Sequence, residues 1–107
     1  MTEPQVVVFG EKRIDYETAP AFQERLLAVL GDGTPTLVLD LSAVEAISSV
    51  GLRGLVVAAK RSKEAGGTIV VAGLQPLVRE IFAISRFDAL FGVFASVDEA
   101  LAALADE

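Results

Sequence analysis

The 107 residues carry nine Lys and Arg against fifteen Asp and Glu, a formal charge of −6, with no histidine and no cysteine. The acidic balance speaks against nucleic acid, whose non-specific affinity comes from neutralising phosphates with basic side chains. The missing residue types remove a Ser-His-Asp triad, thiolate chemistry and the commonest metal ligand, so no cofactor is expected.

With 52% hydrophobic residues and neither a Pro/Ser linker nor an internal repeat, the chain is long enough for one core and too short for two. A single domain over 1–107 is expected. The longest apolar runs, 55–59 and 68–74, fall far short of the roughly 20 residues that span a bilayer. The opening Met1-Thr-Glu-Pro-Gln5 has no basic or apolar region of a secretory signal, and a cytoplasmic location without membrane insertion is therefore expected.

Val6–Phe9 and a short run from Lys12 to Ile14, separated by Gly10-Glu11, read as two opening strands, a hairpin or an edge element. Thr18 reads as the N-cap of a first helix over about 19–30, with Pro20 in the first turn and Phe22, Leu26, Val29 and Leu30 on one face. Gly31-Asp-Gly33 stops it. Thr36 to Leu41 is then a central strand, with Leu37, Leu39 and Leu41 on one side and Val38 and Asp40 on the other. A helix follows Ser48-Ser49 through about Glu64 and closes at Ala65-Gly66-Gly67, where glycine takes the left-handed C-cap. Thr68–Ala72 is nearly all apolar, as for a strand covered on both faces. Gln75-Pro76 opens a third helix with Leu77, Ile81 and Ile84 on one face and Val78 and Phe82 widening it, a pattern that predicts deep burial. A last strand near Val93–Ala95 and a Ser96-capped helix with Leu101 and Leu104 end the chain. Strand–helix alternation implies an α/β fold: a mixed, mostly parallel sheet of four to five strands with about four to five helices and right-handed crossovers.

The most informative segment is Ile47-Ser-Ser49-Val-Gly51-Leu, where an apolar strand region turns into an apolar helix through two hydroxyls. The first N–H groups of a helix are unpaired and carry the positive end of its dipole, so a serine cap or a phosphate is equally at home there. If Leu52, Leu55, Val56 and Ala59 face the core, then Val50, Gly54 and Val57 share another face. Gly51 and Gly54, each costing about 1 kcal/mol against alanine in a helix, call for a close neighbour, either within the domain or on a partner. Lys60, Arg61 and Lys63 complement the dipole at the far end as a solvated terminus.

These residues resemble the STAS domain family, shared by anti-sigma factor antagonists and the cytoplasmic tails of sulfate transporters. The likeness spans about Val6 to Leu104. It rests on Leu37-Val-Leu-Asp40-Leu, on the loop before Gly51-Leu52, on Gly66-Gly67 before an apolar strand, and on Phe91-Gly-Val-Phe-Ala-Ser96-Val-Asp-Glu-Ala-Leu101. In the antagonists a loop of the form Asp-Ser-Ser/Thr-Gly-Leu offers its first serine to a partner that is both serine kinase and anti-sigma factor. Alignment on Gly51-Leu52 makes Ser49 the implied phosphoacceptor, with Ser48 as the less favoured choice. Ser48 stands where the family carries an acidic residue and Val50 where it carries a hydroxyl. Asp15 and Asp40 resemble further acidic positions near that loop; as plain structure, Asp15 is a turn residue and Asp40 a carboxylate accepting loop N–H groups.

The resemblance implies a non-enzymatic antagonist that sequesters a serine-kinase anti-sigma factor, thereby regulating transcription, and is released by phosphorylation, with a serine phosphatase as a candidate further partner. Its implied contact residues are Asp15, Ser48, Val50, Gly51, Arg53, Gly54 and Val57. The alternative is an unphosphorylated STAS accessory subunit of a membrane lipid-transport ABC complex. An enzyme ranks third: the phosphate-binding Gly-x-x-x-x-Gly-Lys-Ser/Thr and the nucleophile elbow Gly-x-Ser-x-Gly are absent from the sequence, and Ser49 has no base to activate it.

Overall fold

The computed structural model describes residues 4–31 and 36–105, so the Gly31–Gly33 stop of the first helix lies partly outside the described residues. The elements run β1 (Gln5–Val8), β2 (Arg13–Ile14), α1 (Ala19–Gly31), β3 (Thr36–Asp40), β4 (Ala46–Ile47), α2 (Ser49–Glu64), β5 (Thr68–Ala72) and α3 (Pro76–Ile84). A 3₁₀ turn (Phe87–Ala89), β6 (Gly92–Phe94) and α4 (Val97–Ala105) complete the chain. The main sheet has the order β1-β3-β5-β6 and a separate two-stranded ladder joins β2 to β4. Every ladder among the described residues is parallel, so the sheet is parallel rather than mixed, and helices supply the crossovers that parallel strands need.

Of the two expected arrangements of the opening strands, the edge element forms and the hairpin does not. β1 is an edge strand, paired with β3 from Gln5↔Leu37 to Val8↔Asp40, while β2 leaves the sheet and pairs with β4. Gly10 and Glu11 thus carry the chain from one layer to another, and no tight turn returns it alongside β1.

β3 is central, as its alternating leucines require. Leu37, Leu39 and Leu41 enter a core cluster with Phe22 and Leu26 of α1, Leu55 and Ala58 of α2, and Val78 and Phe82 of α3. Val38, on the opposite face, packs with Val70, Ala72 and Ala100 under α4. Phe9 meets Phe22 edge-on with ring centroids 4.7 Å apart, and the Arg25 guanidinium closes over the Phe9 ring at 4.8 Å.

The helix ends follow the sequence. Gly66, at φ 81°, closes α2 in a Schellman arrangement: the Gly67 N–H donates to Ser62 O at 2.7 Å and the Gly66 N–H to Lys63 O at 3.0 Å. Pro76 occupies the first turn of α3, and Ser96 Oγ accepts the Glu99 N–H at the start of α4. No helix among the described residues is long and apolar enough to cross a membrane.

Helix α3 departs from expectation. Only Val78 and Phe82 are buried in it; Leu77 is 52% and Ile84 75% exposed. The stripe Leu77-Ile81-Ile84 lies on the rim because α3 is seated by Val78 and Phe82, the latter ring packed against Phe87 and Phe91. Truncating Phe82 to alanine is therefore expected to cost about 3–5 kcal/mol, whereas Ile84→Gln should stay within about 0.5 kcal/mol of the parent; urea unfolding midpoints of the two variants test this assignment.

Candidate functional site

Strands β2 and β4 are two residues long and owe their existence to each other. Arg13 pairs with Ala46 and Ile14 with Ile47, the Glu45 N–H donates to Lys12 O at 2.7 Å, and the Ser48 N–H donates to Ile14 O at 2.7 Å. This ladder lies directly beneath the first turn of α2. A Cβ built on Gly51 would fall 2.6 Å from Ile14 Cγ2 and 2.9 Å from Ile47 Cγ1, closer than real atoms approach. Gly51 is thus the point at which helix backbone rests on the ladder, and only glycine leaves room. Gly54 differs. Its nearest neighbour would be Gln23 Cβ of α1 at 3.6 Å, an ordinary contact that a methyl group can fill.

The buried stripe of α2 is accordingly Gly51, Gly54, Leu55, Ala58 and Ser62, rotated from the expected Leu52, Leu55, Val56 and Ala59. Val56 is half-buried and Leu52 and Ala59 pack at the edge of the core. The close approach at Gly51 sets the phase of the helix, so Gly54 also faces inward and the larger Val56 turns outward. Gly51 and Gly54, read as partner contacts in the sequence, both face inward. Of the other expected contact residues, Asp15, Val50 and Arg53 are exposed and Ser48 and Val57 are half-buried; the implied phosphoacceptor Ser49 is exposed.

The two serines separate cleanly. Ser48 is the N-cap, extended at φ −84° and ψ 168°, and its Oγ accepts the Gly51 N–H at 3.3 Å. Ser49 is the first helical residue and is exposed. Its hydroxyl makes no hydrogen bond among the described residues. Capping is done by Ser48 alone, so the Ser49 oxygen stands at the positive end of the helix without structural duty.

Asp15 closes the neighbouring corner. Its Oδ1 accepts the N–H groups of Glu17 at 3.0 Å and Thr18 at 3.1 Å. Thr18 Oγ1 accepts the Asp15 N–H at 2.9 Å and donates to Arg13 O. This is a reciprocal capping box with Asp15 as cap, since the Ala19 N–H already donates to Asp15 O. Thr18 stands directly before α1, where the cap is expected, but its hydroxyl reaches backwards to Asp15 and Arg13 and caps no N–H of the helix. The Asp15 carboxyl is held below the ordinary value of 3.8, first by the Thr18 N–H, which works against its loss of hydration, and then by the Glu17 N–H, the Thr18 hydroxyl and the charge of Arg13. Asp15 and Ser48 line one shallow depression with Arg13, Ile14, Ala46 and Ile47. Asp40 belongs to another corner: its Oδ1 accepts the Ser42 N–H at 3.0 Å and packs by Gly73.

Comparison with known proteins decides the family. The STAS domain model matches residues 2–100. The chain belongs to the STAS domain family. The domain is 37% identical over 90 residues to the putative anti-sigma factor antagonist BtrV of Bordetella bronchiseptica, covering 84% of this chain and 78% of that protein. It is 34% identical over 90 residues to the anti-sigma-F factor antagonist RsfB of Mycobacterium tuberculosis, covering 82% and 71%. The crystal structure of an anti-sigma factor antagonist from Mycobacterium paratuberculosis superposes with a TM-score of 0.84 at 35% identity, over 94% of this chain and 84% of that one.

Sequence reasoning missed one surface residue of this STAS domain. Tyr16, in the Asp15–Thr18 turn, is 82% exposed. The Asp-x-x-Thr spacing around it could have given the turn away.

The two glycines should part company on substitution. Gly51→Ala is expected to cost about 1–3 kcal/mol through the clash with Ile14 and Ile47, while Gly54→Ala gains up to about 1 kcal/mol of helix propensity; thermal and urea unfolding distinguish them. Because the Asp15 carboxyl is lowered, its support of the turn is present above the ordinary carboxylate value and fades as pH falls below it. The Thr18 amide resonance, followed by NMR from neutral pH to below 3.8, should therefore hold steady and move only at the acid end.

Proposed function

We propose that this STAS domain is an anti-sigma factor antagonist: a non-enzymatic, cytoplasmic binding module that sequesters an anti-sigma factor with serine-kinase activity and releases it when Ser49 is phosphorylated. The observation that carries this reading is the division of labour at the head of α2. Ser48 is consumed by the cap, whereas Ser49 is exposed and free of it. A kinase can reach that hydroxyl without unwinding the helix.

The contact surface in this reading is Ser49 with Val50, Arg53 and Val57 on α2, bordered by Asp15 and Ser48 across the depression. Val50, 40% exposed, gives an apolar contact beside a neutral hydroxyl. A phosphate on Ser49 places roughly −1.5 to −2 charges at the same spot. Relatives named as anti-sigma factor antagonists at 37% and 34% identity support the assignment of partner class.

Incubation with the serine-kinase anti-sigma factors of the source organism and ATP, followed by intact-mass and fragment analysis, should add one phosphate, mapped to Ser49. Ser49→Ala should bind in every nucleotide state. Ser49→Asp should fold normally yet bind on the order of 100-fold more weakly. Ser48→Ala should lose about 1 kcal/mol of stability with the cap and still accept phosphate at Ser49. If Ser49→Ala and Ser49→Asp both bind as the parent does, with and without ATP, the switch is wrong.

A further inference from the structure

Building on the partner class just proposed, we infer that Tyr16 is an anchor of that interaction, inserted into a pocket of the anti-sigma factor that offers a cationic side chain to its ring. An exposed aromatic on its own is ordinary; three features set this one apart. The residue is 82% exposed, so folding gives no reason for an aromatic at this position. Its backbone is fixed by the hydrogen bonds on either side, from the Glu17 and Thr18 N–H groups to Asp15 Oδ1 and from Thr18 Oγ1 to Arg13 O. A partner would therefore meet a large group on an ordered backbone, with only two side-chain torsions left to settle, the low entropic cost that makes tyrosine effective at interfaces. Finally, the residue before it, Asp15, lines the same depression as Ser48, so Tyr16 and the head of α2 fall within one footprint.

The neighbouring charges identify what the ring would receive. Tyr16 stands between Asp15 and Glu17, both exposed, in a chain of formal charge −6. An aromatic face flanked by two carboxylates attracts an arginine or lysine, which gains ring and ion-pair contacts together. It repels an acidic surface. Unmodified Ser49 and the Tyr16 turn would then contact the partner side by side, the first as the switch that phosphorylation turns off and the second as the anchor.

Tyr16 is the sole tyrosine of the chain, which permits a direct test. The protein, labelled with 3-fluorotyrosine, is titrated with each purified serine-kinase anti-sigma factor of the source organism and followed by ¹⁹F NMR. In parallel, calorimetry at low and high salt compares the parent with Tyr16→Ala, Tyr16→Phe and Glu17→Gln. Expected are a shifted ¹⁹F resonance, a loss of roughly 30-fold or more in affinity for Tyr16→Ala, near-parental binding for Tyr16→Phe, and weakened binding with a reduced salt dependence for Glu17→Gln. The melting temperature of Tyr16→Ala should match the parent. Binding by Tyr16→Ala equal to the parent, or an unmoved ¹⁹F signal in the complex, overturns the anchor while leaving the partner class standing. Loss in Tyr16→Phe as deep as in Tyr16→Ala, or unchanged salt dependence in Glu17→Gln, overturns the cationic pocket. Failure of the parent to bind any of these anti-sigma factors removes the partner class and the anchor with it.

Discussion

The contact between Gly51 and the Ile14–Ile47 pair fixes everything of interest at the head of α2. Ile14 and Ile47 are held opposite each other by the β2–β4 ladder, and the Ser48 N–H is tied to Ile14 O. The helix therefore begins at a set place, with Gly51 pressed onto the two isoleucine side chains. Successive residues turn by about 100°, so fixing Gly51 inward sends Ser49, two residues earlier, to the far side. Burial of one residue and exposure of the other are a single geometric fact. The same ladder draws Asp15 to the edge of Ser48, because β2 ends one residue before it.

Much of this was legible in the residues. Successive residues of β3 alternate between two apolar clusters as a strand's period requires, Leu37 and Leu39 in one and Val38 in the other, and Gly66 ends α2 in the left-handed conformation. Ser48-Ser49 before a glycine and a leucine marked the head of α2, and the resemblance it carried leads to the family that the comparisons show. What could not be read was set by contacts between distant residues. A strand of two residues has no period, so the partner of Arg13–Ile14 was invisible until Ala46–Ile47 lay beside it. The choice between Asp15 and Thr18 as cap depends on which oxygen meets which N–H, and both residue types cap well. In α2 the apolar residues run almost all the way round, so their pattern could not give the phase, and the decisive residues were glycines, which a hydrophobic stripe does not count. In α3, Leu77 and Ile84 show that an apolar side chain at helical spacing need not be buried when two others already seat the helix.

Separating the cap from the exposed serine also sorts the energies. A negative group in the first turn of a helix is favoured by about 0.3–1 kcal/mol, and Arg53, exposed one turn along at i+4 from Ser49, can offer a further few tenths of a kcal/mol as an ion pair. For the fold, then, a phosphate on Ser49 is neutral or mildly favourable. Inside a close apolar contact the same dianion must give up its water, a penalty of several kcal/mol for each buried ion that is not matched. The two effects differ in sign and by several-fold in size, so a phosphate at Ser49 would spare the domain and act on the proposed complex. Had the two serines exchanged roles, the phosphorylated oxygen would have been the one bonded to the Gly51 N–H, and the charge would have disturbed the seating of Gly51 on Ile14 and Ile47. The proposed switch, to leave its own scaffold intact, would need a hydroxyl that does no capping, and at the head of α2 that hydroxyl is the second of the pair.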